Sequence, residues 1–398
     1  MDSTVYRRGA DGRHTATPED AVSADDFNDL FDVDSNQAKA SKPSAPAEKP
    51  KLNLDRFKSM SMPKVKIPNA QIPKIKTPKK SGPIHRVFFG LKIIVAAYLV
   101  FYISLAVTTS GNLQKTRAAP NHQIADTAGQ NWLLVGSDSR KGLSFQDMKL
   151  LHTGMDHSSQ RTDSIMIVHF GGKGKASLVS LPRDSLITLP AHLYGKSLIP
   201  ARSEKINAAY SYGGAPLLVK TVEQNTGLHI DHYMEVGFGG IRDLTDAIGG
   251  VRMCVPRRYL DADSGLDVQK GCQNMDGKTA LAYVRMRHAD PLGDLGRIQR
   301  QQQYLGSVLH KVLTPSVLLN PFALRHLSKA TTKALVVGRK DSITDIGKLG
   351  LAMRSLMKGK GAVKTVPVAS NSYFVNGVSY VLWNRAQAKA LFHNLGAK

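Results

Sequence analysis

The chain has 398 residues, 42% of them apolar, and 54 Lys and Arg against 31 Asp and Glu, a net charge of +23. That length and apolar content suit one sizeable folded domain with appendages. The two cysteines have no His or further Cys at ligand spacing around them, which argues against a cysteine-built metal site.

Residues 1–86 come first and fall into an acidic part, with Asp25, Asp26, Asp29, Asp32 and Asp34, and a basic, proline-punctuated part in which Pro63-Lys-Val-Lys66-Ile-Pro68 is echoed by Pro73-Lys-Ile-Lys76-Thr-Pro78. Neither part can bury enough apolar surface to offset chain entropy, so 1–86 is read as a disordered tail. Residues 87–109 carry one charge, Lys92, near their start. An apolar run of that length predicts a transmembrane helix, with Lys92 snorkelling to the interface. It is too long and too far from Met1 for a cleaved signal peptide. Lys74, Lys76, Lys79, Lys80 and Arg86 precede it, whereas Lys115 and Arg117 follow. The positive-inside rule then predicts a cytoplasmic tail, whose basic part would meet anionic membrane lipids, and an extracytoplasmic remainder. The tail shows no helix-turn-helix pattern and little aromatic interleaving, which disfavours nucleic acid as its partner.

After a linker at 110–129, strands are predicted at 131–136, 164–170 and 176–181, helices at 205–226, 237–248 and 296–313, then a strand near 379–382 and a helix at 384–395. The alternation predicts a single α/β domain over 130–398, a central mixed β-sheet flanked by helices. This stretch holds 35 Lys and Arg against 19 Asp and Glu. A domain so basic suits an anionic lipid or polymer. Cys254 and Cys272 fall within it, and a pair so sparse in an oxidising compartment is expected to bridge, two buried free thiols being the alternative.

The chemistry-bearing residues gather at element ends. Gly136-Ser-Asp138-Ser-Arg140 follows the first strand, Arg161-Thr-Asp163-Ser164 opens the second, and Ser180-Leu-Pro182-Arg183-Asp184-Ser185 closes the third. Site residues of α/β sheets collect at strand ends, and Asp138 with Asp163 could share one hard cation. Later comes Tyr283-Val-Arg285-Met-Arg287-His288, then Gly293-Asp294-Leu-Gly-Arg297-Ile-Gln-Arg300-Gln301. Arg285 and Arg287 would share a face if the segment is a strand, and Arg297, Arg300 and Gln301 a helix face. Guanidinium forks suit phosphate oxygens. Surface ion pairing is the competing reading of such a charge run.

These motifs, with Ile206-Asn-Ala-Ala-Tyr-Ser-Tyr-Gly-Gly214, Ala247-Ile-Gly-Gly-Val251 and Asp276-Gly-Lys-Thr-Ala-Leu-Ala-Tyr283, resemble the LytR-CpsA-Psr family over roughly 130–310. The resemblance implies a membrane-anchored phosphotransferase that moves a glycopolymer from a polyprenyl-pyrophosphate carrier to peptidoglycan through a phosphodiester. It implies Mg²⁺, with Mn²⁺ as a substitute, on Asp138 and Asp163. Arg140, Arg161, Arg183, Arg285, Arg287, Arg297, Arg300 and Gln301 would form the pyrophosphate cradle, and an apolar tunnel would hold the polyprenyl chain. Arg183, Arg285, Arg287 and Asp294 would serve catalysis. A lipid-pyrophosphate phosphatase and a membrane-bound transcriptional regulator are the alternatives.

The charge asymmetry around 87–109 gives a first prediction. A reporter that works only after export should be active when fused behind Lys398 and silent when fused within residues 1–86. The reverse pattern would reject the orientation.

Overall fold

The computed structural model describes residues 83–141, 143–154, 161–171, 176–287, 289–290 and 293–397. The tail predicted at 1–86 therefore lies almost wholly outside the described residues. Two units divide the chain, the boundary falling after Phe101. In the first, the described residues belong to helix α1 (Pro83–Asn112), which continues past the boundary. Within it Val87–Asn112, 26 residues, is long and apolar enough to cross a membrane. The helix extends beyond 87–109 at both ends because no proline or glycine turn interrupts Pro83–Asn112, and proline fits the first turn of a helix.

From Tyr102 onward the chain forms the second unit. Its centre is a seven-stranded mixed sheet built from β1 (Gln114–Thr116), β2 (Gln130–Ser137), β3 (Thr162–Phe170), β4 (Ser177–Leu181), β5 (His232–Val236), β6 (Leu335–Gly338) and β7 (Ala362–Thr365). Their order is β1-β6-β5-β2-β3-β4-β7. The strand at β1 lies inside the expected linker; Gln114–Thr116 pairs in parallel with Val336–Gly338 and so belongs to the folded unit.

Two-residue alternation assigns the side chains of each strand to opposite faces. Leu133, Val135, Ile165, Ile167, Val179 and Leu181 pack in one core with helices α3 (Ile206–Thr226) and α10 (Arg385–His393). Trp132, Met166, Val168 and Leu178 join a second core with α6 (Gly293–Val312) and α9 (Ile343–Met357). Among the described residues the remaining helices are α2 (Phe145–Leu150), α4 (Phe238–Ala247), α5 (Gly277–Arg285), α7 (Pro315–Leu318) and α8 (Pro321–Ala334). The α/β class with a central mixed sheet and helices on both faces is thus the observed one.

Cys254 and Cys272 are directly opposed in the antiparallel ribbon of Val251–Val255 with Gly271–Met275, and they form a disulfide. The ribbon leads through Asp276, whose carboxylate accepts from Thr279 N–H and caps α5. Closing a loop of this length contributes about 3 kcal/mol in the chain-entropy picture. Cys254→Ser together with Cys272→Ser should lower unfolding stability by about that amount, and peptide mapping without reductant should recover the linked pair from the native protein.

Candidate active site

Because β2 and β3 are antiparallel, the end of one lies beside the start of the other, and β4, antiparallel to β3, finishes at the same edge. β5 runs parallel to β2 and also ends there. Four strand ends therefore deliver Asp138, Asp163, Arg183 and Phe238 to one place. The β2–β3 register shifts where Gly136 opposes Ser164 but Ser137 opposes Thr162. Asp163 is the extra residue of this bulge, a device that re-aims a side chain.

The result is a cavity of about 270 Å³ whose walls include Asp138, Arg140, Asp163, Arg183, Arg285 and Arg287, with Arg297 and Gln301 contributed by α6. Arg183 Nη1 donates to Asp163 Oδ1 at 2.6 Å. Arg161 N–H donates to Asp138 Oδ1 at 2.7 Å. Burial pushes the Asp138 carboxyl above its ordinary value; the Arg161 N–H opposes this and the neighbouring Asp163 charge adds to it. Arg140 donates through Nε and Nη2 to the carbonyl of Thr153, at 2.9 and 2.6 Å. Arg285 donates to the Leu151 and His152 carbonyls, both at 2.9 Å, and lies 4.7 Å over the Phe238 ring. Burial draws the Arg285 guanidinium below the ordinary arginine value, Asp163 opposing and Arg140 adding to the shift.

Arg285 does not stand on a strand. It ends α5, and Met286 turns into extended backbone before Arg287. The Asp276 cap and the Ala-rich run behind it favour helix over the strand that the Arg-x-Arg spacing suggests. Both side chains still reach the cavity.

Arg300 is elsewhere. Buried, it donates to the carbonyls of Tyr283 and Met286 and pairs closely with Asp290, so it braces the chain between α5 and α6. Arg297 and Gln301, one turn apart, face the cavity; Arg300, three residues after Arg297, turns away from it. Arg161 is exposed and absent from the cavity wall, which it serves through its main chain. Asp294 lies in the first turn of α6, but its side chain and His288 are outside the described residues.

Several wall residues were not singled out from sequence: Phe238, Thr153, Asp261, Asp263 and Ser264. Asp261 accepts from Asp263 N–H at 3.1 Å and Arg287 N–H at 3.3 Å. The only signal for these acids was a polar, glycine-ended turn, Asp261-Ala-Asp263-Ser-Gly265, which reads as an ordinary loop.

Gly136, Ser164, Ile241, Val284 and Gln301 also wall a second cavity of about 510 Å³. It is apolar, floored by Leu134, Met166 and Met234 of the sheet and enclosed by α6, α8, α9 and the end of α1. A Cβ on Gly136 would meet Ser164 Oγ at 2.2 Å, so a larger residue at the junction would force that hydroxyl to rotate away. Gln301 Oε1 is buried at this junction and has no hydrogen-bond partner among the described residues. Among the described residues no group of three or more His, Cys, Asp or Glu is arranged to hold a metal. Asp138 and Asp163, two carboxylates of this polar cavity whose charges act on each other, fit a hard cation that completes its shell with water and phosphate.

The sequence model of the LytR_cpsA_psr family matches residues 98–397. The chain belongs to this family. Among its relatives is the probable cell wall biosynthesis protein LcpB of Corynebacterium glutamicum, 42% identical over 303 residues, 76% of this chain and 69% of LcpB. The polyisoprenyl-teichoic acid–peptidoglycan teichoic acid transferase TagU of Enterococcus faecalis is 30% identical over 221 residues, 55% of this chain and 67% of TagU. The solved structure of TagT bound to LI-WTA matches with a TM-score of 0.51 at 25% identity, covering 71% of this chain and 97% of TagT.

Arg300→Ala would remove the close partner of buried Asp290. Such losses cost about 3–5 kcal/mol. Thermal melts should show a large drop for Arg300→Ala and little change for Arg287→Ala, whose side chain is exposed.

Proposed function

We propose that this protein transfers a glycopolymer phosphate from a polyprenyl-pyrophosphate carrier to peptidoglycan. The observation that carries the reading is the shared wall: an arginine-lined polar cavity adjoins an apolar one, with Gly136 and Gln301 lining both. A pyrophosphate with a long hydrocarbon chain on one side has that division of chemistry. The names of TagU and LcpB support it, as does the LI-WTA bound to TagT.

In this reading Arg183, Arg285, Arg287 and Arg297 bind the pyrophosphate, and Arg140 helps orient it. Gln301 has one amide group at the junction where phosphate gives way to hydrocarbon. An acceptor hydroxyl oxygen forms a bond to the phosphorus that carries the glycopolymer, while the bond from that phosphorus to the bridging oxygen breaks. Polyprenyl phosphate departs with the bridging oxygen, and the hydroxyl proton passes to a carboxylate or water of the pocket. Negative charge grows on the departing phosphate, where preorganised guanidinium groups stabilise it most. Asp138 and Asp163 are proposed to hold Mg²⁺, which would supply further charge neutralisation when bound. The folded unit is proposed to face the extracytoplasmic side.

Arg285→Ala or Arg287→Ala should cut transfer on the order of 10²–10³-fold, and lysine at either position should rescue poorly because a point charge lacks the planar fork. Asp163→Asn should raise the Mg²⁺ concentration needed for half-maximal rate. Transfer is followed with a lipid-linked donor and peptidoglycan acceptor; wild-type turnover in a stable double variant of Arg285 and Arg287 would reject the assignment, and equal donor breakdown without acceptor would indicate a phosphatase instead.

A further inference from the structure

Helix α8 follows the outer part of α1. Tyr102 Oη donates to the Leu318 carbonyl at the end of α7. Thr109 Oγ1 and Ser328 Oγ lie 2.6 Å apart. Gln114 Nε2 donates to the Lys333 carbonyl at 2.6 Å. The partners advance together along both segments, from Tyr102 with Leu318 through Thr109 with Ser328 to Gln114 with Lys333. The two segments therefore run side by side in the same direction.

Tyr102 and Thr109 belong to the apolar span Val87–Asn112. Tyr102 is ten residues, about 15 Å, inside its end, so the Leu318 end of the pair sits at bilayer depth and the Lys333 end at the surface. Polarity follows that gradient. Leu319 and Phe322 at the deep end are 64% and 77% exposed. Arg325, His326, Lys329 and Lys333, farther along, are also exposed, and residues 315–334 contain no Asp or Glu. Large apolar side chains open to solvent would be unfavourable in water, and Arg325, Lys329 and Lys333 with no acidic residue among them suit phosphate headgroups. On its other face α8 contributes Leu324, Leu327 and Thr331 to the wall of the apolar cavity.

We propose that α7, α8 and the turn between them are embedded in the adjoining leaflet of the membrane, with Leu319 and Phe322 among the acyl chains and Lys329 and Lys333 at the headgroups. The occupant of this surface is lipid, and α8 is the partition between the bilayer and the apolar cavity. Arg325, between the two ends, reaches the headgroups by extending its stem. The proposal concerns membrane contact alone, so a protein without transferase activity would still display it.

The native cysteines are joined to each other, which permits a single-cysteine experiment on the full chain in lipid nanodiscs. Leu319→Cys, Phe322→Cys, Lys333→Cys and Leu193→Cys are each labelled with an environment-sensitive fluorophore and exposed to quenchers fixed at the headgroup or deep on the acyl chain. Labels at Leu319 and Phe322 should be quenched several-fold more strongly by the deep quencher than the label at Leu193, an exposed residue of the hairpin His192–Ile199, which packs on α3. The Lys333 label should respond mainly to the headgroup quencher. Deep quenching at Leu319 and Phe322 no stronger than at Leu193 would overturn the proposal, leaving a protein partner or a second copy as the occupant. Unsubstituted protein treated with lipids carrying a photoreactive group on the acyl chain supplies a second measurement: crosslinks within 315–324 are expected, and their absence would overturn the proposal equally.

Discussion

The antiparallel pairing of β2 with β3 is the constraint from which the site follows. Eight residues of one strand lie against nine of the other, and the extra residue falls at Asp163. Had the register run without that bulge, Asp163 would alternate strictly with its neighbours and its carboxylate would project as the pleat dictates. The bulge frees it to share a cavity with Asp138. The same pairing sets the two faces of the sheet, because Leu133 and Val135 must go one way and Trp132 and Leu134 the other. One face is filled by α3 and α10. Opposite, α6, α8 and α9 leave space that remains apolar and ends against the charged cavity at Gly136.

Much of this was legible in the chain. Strands rich in Val, Ile and Leu with turn residues at their ends fell within a residue or two of their observed limits, as did the helices at 206–226 and 238–247. The sites at strand ends were legible for the same reason, since a motif directly after an apolar run needs no long-range information to be placed. What could not be read was rotation about a helix and the destination of turns. Arg297, Arg300 and Gln301 occupy one broad helix face, yet the face is divided: Arg300 turns to the carbonyls of Tyr283 and Met286, while the other two look into the cavity. Only packing against α5 decides that division. Asp261, which ends one three-residue strand, and Asp263, in the turn to the next, were missed because such a short hairpin has no local mark of the wall it joins.

Helices α7 to α9 and the strand Val368–Val375 were also not foreseen. Pro315 and Pro321 break the periodicity that a reader would follow through the first two, although each sits in the opening turn, where proline is accepted. The helix at 343–357 carries a capping box of Ser342 and Asp345, a signal that was available. Its apolar face, with Leu349 and Met353, then covers the sheet opposite α3.

Arg285 is held by two main-chain carbonyls and the face of a phenylalanine ring, groups without net charge. A carboxylate in their place would fix the guanidinium as firmly but cancel its field. Carbonyl dipoles orient the group and leave its full unit of charge directed at the cavity. Since main-chain atoms do this work, the identity of residues 151 and 152 is less constrained than the path of their backbone. That path includes His152 at φ 49°, a left-handed conformation uncommon for a residue with a Cβ. The shape of one short loop, independent of its side-chain chemistry, thus governs where a cation more than a hundred residues away points.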